Sequence, residues 1–142
     1  MRLCQHKVRT ADAIAFGLLG MGASWTLSDC IATNLPIFNQ CLPGGLYLPD
    51  QLGFFGTLSQ AGALSACWLY LRLCGAPTLK ANRALVWLCL AVEVGGAVLV
   101  SIAWRATLDG LAWVVIAAYS SAVVVGTLSW AAVPRLISPD LA

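Results

Sequence analysis

The chain has 142 residues, of which 60% are hydrophobic and 10% charged. A soluble domain carries about 25% charged residues, so a chain this poor in charge cannot clothe a water-facing surface, and lipid is expected to be its main solvent. The net charge of +2 is small and its basic residues are scattered, which leaves no footprint for nucleic acid.

The N-terminus carries Arg2, His6, Lys7 and Arg9 before the first apolar run, residues 11–33. That start looks like the basic region of a signal peptide, but the run is too long for a signal core. No small-x-small cleavage site followed by polar chain stands after it. It is expected to remain as a first span, ending at Asn34-Leu35-Pro36. The connection that follows, residues 36–50, contains Pro36, Pro43, Gly44, Gly45 and Pro49 and is expected to be irregular.

Three further runs are about 20 residues long, the length that crosses a hydrocarbon core as a helix: residues 51–73, 84–104 and 110–133. Lipid offers no partners to an open strand edge, so each run must be helical. The second and third connections, residues 75–82 and 105–109, are short, which predicts antiparallel neighbours. The fold class expected is an all-α membrane protein of about four antiparallel transmembrane helices, one transmembrane domain over residues 1–142.

Lys and Arg set the orientation. Arg2, Lys7, Arg9, Arg72, Lys80, Arg83 and Arg135 fall on one side of such a bundle, and Arg105 alone on the other. Both termini are therefore expected in the cytoplasm, with the Pro/Gly-rich loop outside. Trp68, Trp87, Trp104 and Trp113 are candidate interface anchors, although for Trp68 and Trp87 plain packing explains them equally well. Gly53, Gly56, Gly62, Ala66, Gly95 and Gly96 permit close helix contact.

Among six cysteines no CxxC pair occurs, and His6 is the only histidine, so no metal site is expected. Cys30, Cys67 and Cys89 lie within predicted spans, where a reduced thiol behaves as a small apolar group. Cys41 lies in the first outer loop. The chain has no glycine-rich phosphate loop, His-containing triad or HExxH motif. No catalytic residue and no cofactor are expected, and the chain is not read as an enzyme.

Two acids lie inside the spans, Asp29 in the first and Glu93 in the third. A charge at the bilayer centre costs about 2.5–3.5 kcal/mol on insertion scales, so such a residue is expected to face a cavity, a cation or a protonation step. A carboxyl kept protonated and hydrogen-bonded to a neighbouring helix is the structural alternative, and Glu93 is expected to be a buried acid of either kind. On a regular helix Met21, Trp25, Ser28, Asp29 and Ala32 share a side. A flat, partly polar solute could stack on Trp25 while hydrogen-bonding Ser28 or Asp29. Asn34 falls on the opposite side and joins that stripe only if the backbone unwinds before Pro36.

Three segments carry a family resemblance: Gly20-Met21-Gly22-Ala23-Ser24-Trp25, then Leu35-Pro36, then Leu42-Pro43-Gly44-Gly45-Leu46-Tyr47-Leu48-Pro49. Together they resemble the start of the eukaryotic riboflavin transporters. That family opens with a Gly-Met-Gly-Ser-Trp run, has an Asn four residues after the Trp and a Glu-Leu-Pro closing the first helix. A Leu-Pro-Glu-Gly-Trp-x-Leu-Pro outer loop follows. The spacings from Trp25 to Pro36, Pro36 to Pro43 and Pro43 to Pro49 all fit. Ala23 stands as an insertion, Asp29 replaces the family's Asn, Asn34 its Glu, and Gly44-Gly45-Leu46 its Glu-Gly-Trp. Gln60 falls where the second helix of the family has Asn. The likeness covers residues 20–62 and is looser over residues 119–135.

The resemblance implies carrier-mediated passage of riboflavin across the plasma membrane. The residues themselves add Trp25, Ser28 and Asp29 as substrate-binding, Trp25 stacking the solute and Asp29 hydrogen-bonding its polar groups, with Asn34 and Gln60 as accessory substrate-binding residues. It also implies part of the first half of a multi-span carrier, so the remaining spans or further subunits are expected as partners, beside the lipid bilayer. A non-transporting tetraspan scaffold, or a carrier of another planar solute such as a nucleoside, are the alternatives.

Overall fold

The computed structural model describes residues 14, 24–42, 44–75 and 78–137, the side chains at 24, 79 and 130–137 excepted. The basic N-terminal residues, Met21, Pro43, the side chain of Arg135 and the first half of the first predicted span lie outside the described residues.

The described chain is all helical: α1 (Ser24–Thr33), α2 (Leu35–Cys41), a 3-10 turn (Gly45–Tyr47), α3 (Leu48–Cys74), α4 (Leu79–Ala103) and α5 (Trp113–Ile137). Among the described residues one helix, Lys80–Ala103, is long and apolar enough to cross a membrane, and Trp113–Ser129 is a shorter apolar helix.

The expectation of an irregular connection over residues 36–50 is corrected. Helix α2 occupies most of its first half, and α3 begins inside it at Leu48. Pro36 and Pro49 each sit in the first turn of their helices, where the missing N–H has no intrahelical acceptor to lose. Gly44 takes the left-handed conformation (φ 71°) and Gly45 lies so close to Asn39 that a Cβ would sit 2.5 Å from its carbonyl oxygen. The Asn39 amide, with its nitrogen assigned toward them, donates to the carbonyls of Gly45 (2.7 Å) and Leu35 (3.3 Å). The loop is thus folded onto α2.

Helix α5 is central and packs against α1, α3 and α4. The expectation that consecutive helices are packed neighbours is corrected for α3 and α4, which pack on α5 rather than on each other. The beginnings of α3 and α5 lie together, Phe55 meeting Trp113 at 6.1 Å between ring centroids. A Cβ on Gly56 would be 2.9 Å from the Tyr119 ring. Helix α4 runs the other way: Val100 and Trp104 join the core around Val115, while Val86 and Cys89 pack with Val125. Leu27 of α1 fills the gap left by Gly96 of α4, where a Cβ would stand 2.6 Å from its Cδ2. Absent side chains set these spacings, because close backbone approach needs small residues at the crossing.

Two connections therefore share one end of the bundle. Phe38 stacks near Trp104 (5.5 Å), and a Cβ on Gly44 would lie 3.3 Å from the Gly110 carbonyl. The turn there is a two-residue hairpin: Asp109 and Gly110 both have positive φ (52° and 78°), and Leu108 and Leu111 exchange backbone hydrogen bonds of 3.0 and 2.9 Å. The other end carries the α3–α4 connection, where Gly75 (φ 73°) caps α3 and the Thr78 hydroxyl accepts from Ala81 N–H at 3.3 Å.

Hydroxyls along the helices are satisfied internally. Those of Ser28, Thr33, Thr57, Ser101, Ser121, Thr127 and Ser129 each donate to a carbonyl three or four residues earlier in their own helix.

Candidate functional site

A cavity of about 330 Å³ opens between α1, α2 and the second half of α4. That volume falls at the small end of ligand sites, about 300–1,000 Å³. Its walls are mainly apolar, with Leu27, Ile31, Phe38, Leu90, Val94 and Val100 among them; Thr26, Asn34, Glu93 and Ser101 supply the oxygens.

The helical repeat explains this lining. Leu90, Glu93, Val94, Ala97, Val100 and Ser101 recur three or four apart on α4, and Thr26, Cys30 and Asn34 recur four apart on α1 and its end. Glu93 lies ten residues before Ala103, at about 1.5 Å per residue some 15 Å from that end of α4. Its residue exposure is 6%, its carboxyl leans toward the backbone N–H of Leu27, and its Oε1 has no hydrogen-bond partner among the described residues. A buried carboxyl oxygen without a partner is costly, so the polar demand at this point is unmet by the described residues.

None of the described residues lining the cavity is basic. Along α4, Arg83 lies ten residues before Glu93; Arg105 stands beyond the helix end with its guanidinium 4.8 Å over the Trp104 ring. Asn34 ends α1 with φ −91° and ψ 4°, outside the regular helix, and its amide nitrogen donates to the Cys30 carbonyl at 2.8 Å. The break before Pro36 is thus present, but it turns Asn34 toward α4, away from the stripe of Trp25 and Asp29.

The six sequence-predicted residues are consequently divided. Asn34 and Glu93 meet at the cavity. Ser28 is buried at 4% exposure, and its hydroxyl already donates to the Trp25 carbonyl at 2.8 Å. Trp25 is half-buried, and Asp29 is exposed on the outer side of α1. Gln60 is exposed on α3, a helix that packs on α5 and not on α1. The structure does not bring Trp25, Asp29 and Gln60 to the cavity.

Sequence reasoning missed Thr26, Cys30, Phe38 and Ser101. For Ser101 and Cys30 the signal was available, since each repeats at helical spacing from Glu93 or Asn34. Phe38 carried none, because it depends on α2 folding back beside Trp104. Among the described residues no group of three or more His, Cys, Asp or Glu is placed to hold a metal ion.

No protein-family model, no curated protein and no solved structure matches the chain.

Proposed function

We propose that the chain is a membrane-embedded helical bundle forming part of a solute carrier, with riboflavin as the solute. The observation that carries the membrane reading is the condition of Lys80–Ala103: the helix is apolar enough to span, yet only 17% of its most apolar stretch is buried. The core helix of a water-soluble protein would be apolar because it is buried. A helix apolar on its exposed side as well needs an apolar solvent.

The polar residues support the same reading. Arg72, Lys80 and Arg83 sit at one end of the bundle, and Asp50, Asp109 and Arg105 at the other. Arg72 lies 5.2 Å over the Trp68 ring and Arg105 over Trp104, amphipathic pairs suited to the two headgroup layers. With the basic end in the cytoplasm, both termini are cytoplasmic and the α1–α3 connection faces outward, as in a multi-pass plasma-membrane protein.

The solute comes from the motif spacing shared with riboflavin transporters. Asp29 and Gln60 lie within the proposed spans and are exposed. Neither is stable against hydrocarbon, so their faces meet further spans of the carrier or a further subunit. There Trp25 and Asp29 would line the solute path. Glu93, some 15 Å from the nearer end of α4, stands at the depth where carriers hold their substrates and ions.

Uptake of labelled riboflavin into cells expressing the full-length gene, with the remaining spans of the carrier, tests the reading. Saturable uptake, lowered by Asp29→Asn and Trp25→Ala, is expected; uptake at background sinks it. A second reading, a non-transporting scaffold, draws on the separation of Asp29 from the cavity. It expects those two substitutions to alter assembly or trafficking alone.

A further inference from the structure

We propose that the cavity between α1 and α4 binds an amphiphilic ammonium: a protonated primary or secondary amine carried on an apolar body about the size of one aromatic ring. The inference rests on the membrane-embedded reading but not on riboflavin as the solute.

Four observations converge. First, Glu93 Oε1 is buried and accepts no hydrogen bond among the described residues, so the missing group is a donor. Second, none of the described residues lining the cavity is basic, so none of them offers a countercharge to the carboxylate, and an ammonium ligand would supply one. An anion would be repelled, whereas an ammonium brings both an N–H donor and the charge that favours the ionised carboxyl.

Third, the site is poor in oxygens. Thr26, Asn34, Glu93 and Ser101 are the oxygen-bearing side chains, and the Ser101 hydroxyl donates to the Ala97 carbonyl at 2.7 Å. A hard cation such as Ca²⁺ takes six to eight oxygens, and Mg²⁺ a close octahedron of six. A cavity of about 330 Å³ also far exceeds the space of one bare ion. Fourth, the remaining wall is apolar, with Leu27, Ile31, Phe38, Val94 and Val100 in it, and offers dispersion contacts and one aromatic ring to the body of an organic cation. Apolar walls with one well-placed polar anchor are the usual build of a small-molecule site.

The ligand's N–H would donate to Glu93 Oε1, with the Asn34 side chain close by and the apolar body against Phe38 and Val100. No bond is made or broken.

The test uses the purified full chain in nanodiscs and labelled 2-phenylethylammonium as probe. Two controls have similar bodies: 3-phenylpropan-1-ol, which is neutral, and the N-trimethyl derivative of the probe, which has no N–H. Equilibrium dialysis is expected to show saturable probe binding, at least tenfold weaker for both controls and for Glu93→Gln, and unchanged for Asp50→Asn at the start of α3. Cys30 lines the cavity and gives a readout without mutation. Saturating probe should slow its alkylation by a maleimide severalfold, with Cys67 on α3 unaffected.

Absence of saturable binding overturns the proposal. So does equal binding by Glu93→Gln or by the alcohol, or an unchanged Cys30 rate at saturation. Riboflavin uptake without ammonium binding overturns this inference alone. Ammonium binding without riboflavin uptake supports it and removes the riboflavin assignment.

Discussion

Replacing Glu93 by Leu separates stability from function, because the carboxyl is a liability to the bundle that contains it. The side chain is 6% exposed, and its Oε1 is unpartnered among the described residues. An unsatisfied buried polar group costs about 1–3 kcal/mol. A charged residue at the centre of a span costs about 2.5–3.5 kcal/mol on insertion, against a gain of about 0.3–0.6 kcal/mol for an apolar one. Glu93→Leu should therefore ease insertion of α4 by roughly 3 kcal/mol and stabilise the folded bundle by about 1–3 kcal/mol. Glu93→Gln, which keeps a polar amide, should gain less than Glu93→Leu in both measurements. The inserted fraction is read by glycosylation mapping of α4 in a host protein, and folding by titration from mild detergent into SDS. Solute or ammonium binding should vanish in the stabilised variant. A Glu93→Leu protein that unfolds more easily by about 1 kcal/mol or more would refute the reasoning, because the carboxyl would then be a structural hydrogen-bonding group.

Further outcomes follow from single contacts. Gly56→Leu pushes a side chain into the Tyr119 ring, which a Cβ alone would approach to 2.9 Å; a loss of about 1–3 kcal/mol is expected in the same SDS titration, partly restored by Tyr119→Ala. Gly110→Ala adds a Cβ that meets no neighbouring atoms within 4 Å but must hold φ near 78°. A loss of about 1–2 kcal/mol should appear as a lowered thermal midpoint. Gly45→Ala places a Cβ against the Asn39 backbone, which cannot yield as a side chain can. Limited proteolysis is expected to cut the α2–α3 connection faster in that variant. Changing Arg72, Lys80 and Arg83 together to Glu should invert or scramble orientation, read by protease protection of an epitope in that connection. Unaltered orientation would contradict the assignment of the basic end to the cytoplasm.

Helix content was legible in the sequence because long apolar runs bounded by Pro, Gly and charge leave little other choice. The arrangement was less so. Short connections suggested that α3 and α4 pack together, yet α5 lies between them. Gly56 lets Tyr119 of α5 seat against α3, and Gly96 lets Leu27 of α1 seat against α4. Proline density suggested an irregular first loop, but a proline in the first helical turn costs nothing, and α2 formed. At the site, Glu93 and Asn34 were visible as polar residues in apolar surroundings. The helical phase that points Asp29 away from Asn34 was visible too. What the phase could not say was which side of α1 faces α4, since that depends on Leu27 seating against Gly96. Ser28 was singled out for its hydroxyl, whose donation to Trp25 is a local bond that any helical serine can make.

The central claim is that the exposed face of α4 is solvated by lipid. Val98 and Leu88 lie on that face, whereas Leu46 lies in the connection between α2 and α3. The direct measurement places the photo-crosslinker p-benzoylphenylalanine at each position in vesicle-reconstituted protein and counts acyl-chain adducts by mass spectrometry. Abundant lipid adducts at Val98 and Leu88, with few at Leu46, are expected. Adducts at Val98 and Leu88 no more frequent than at Leu46 would contradict the account.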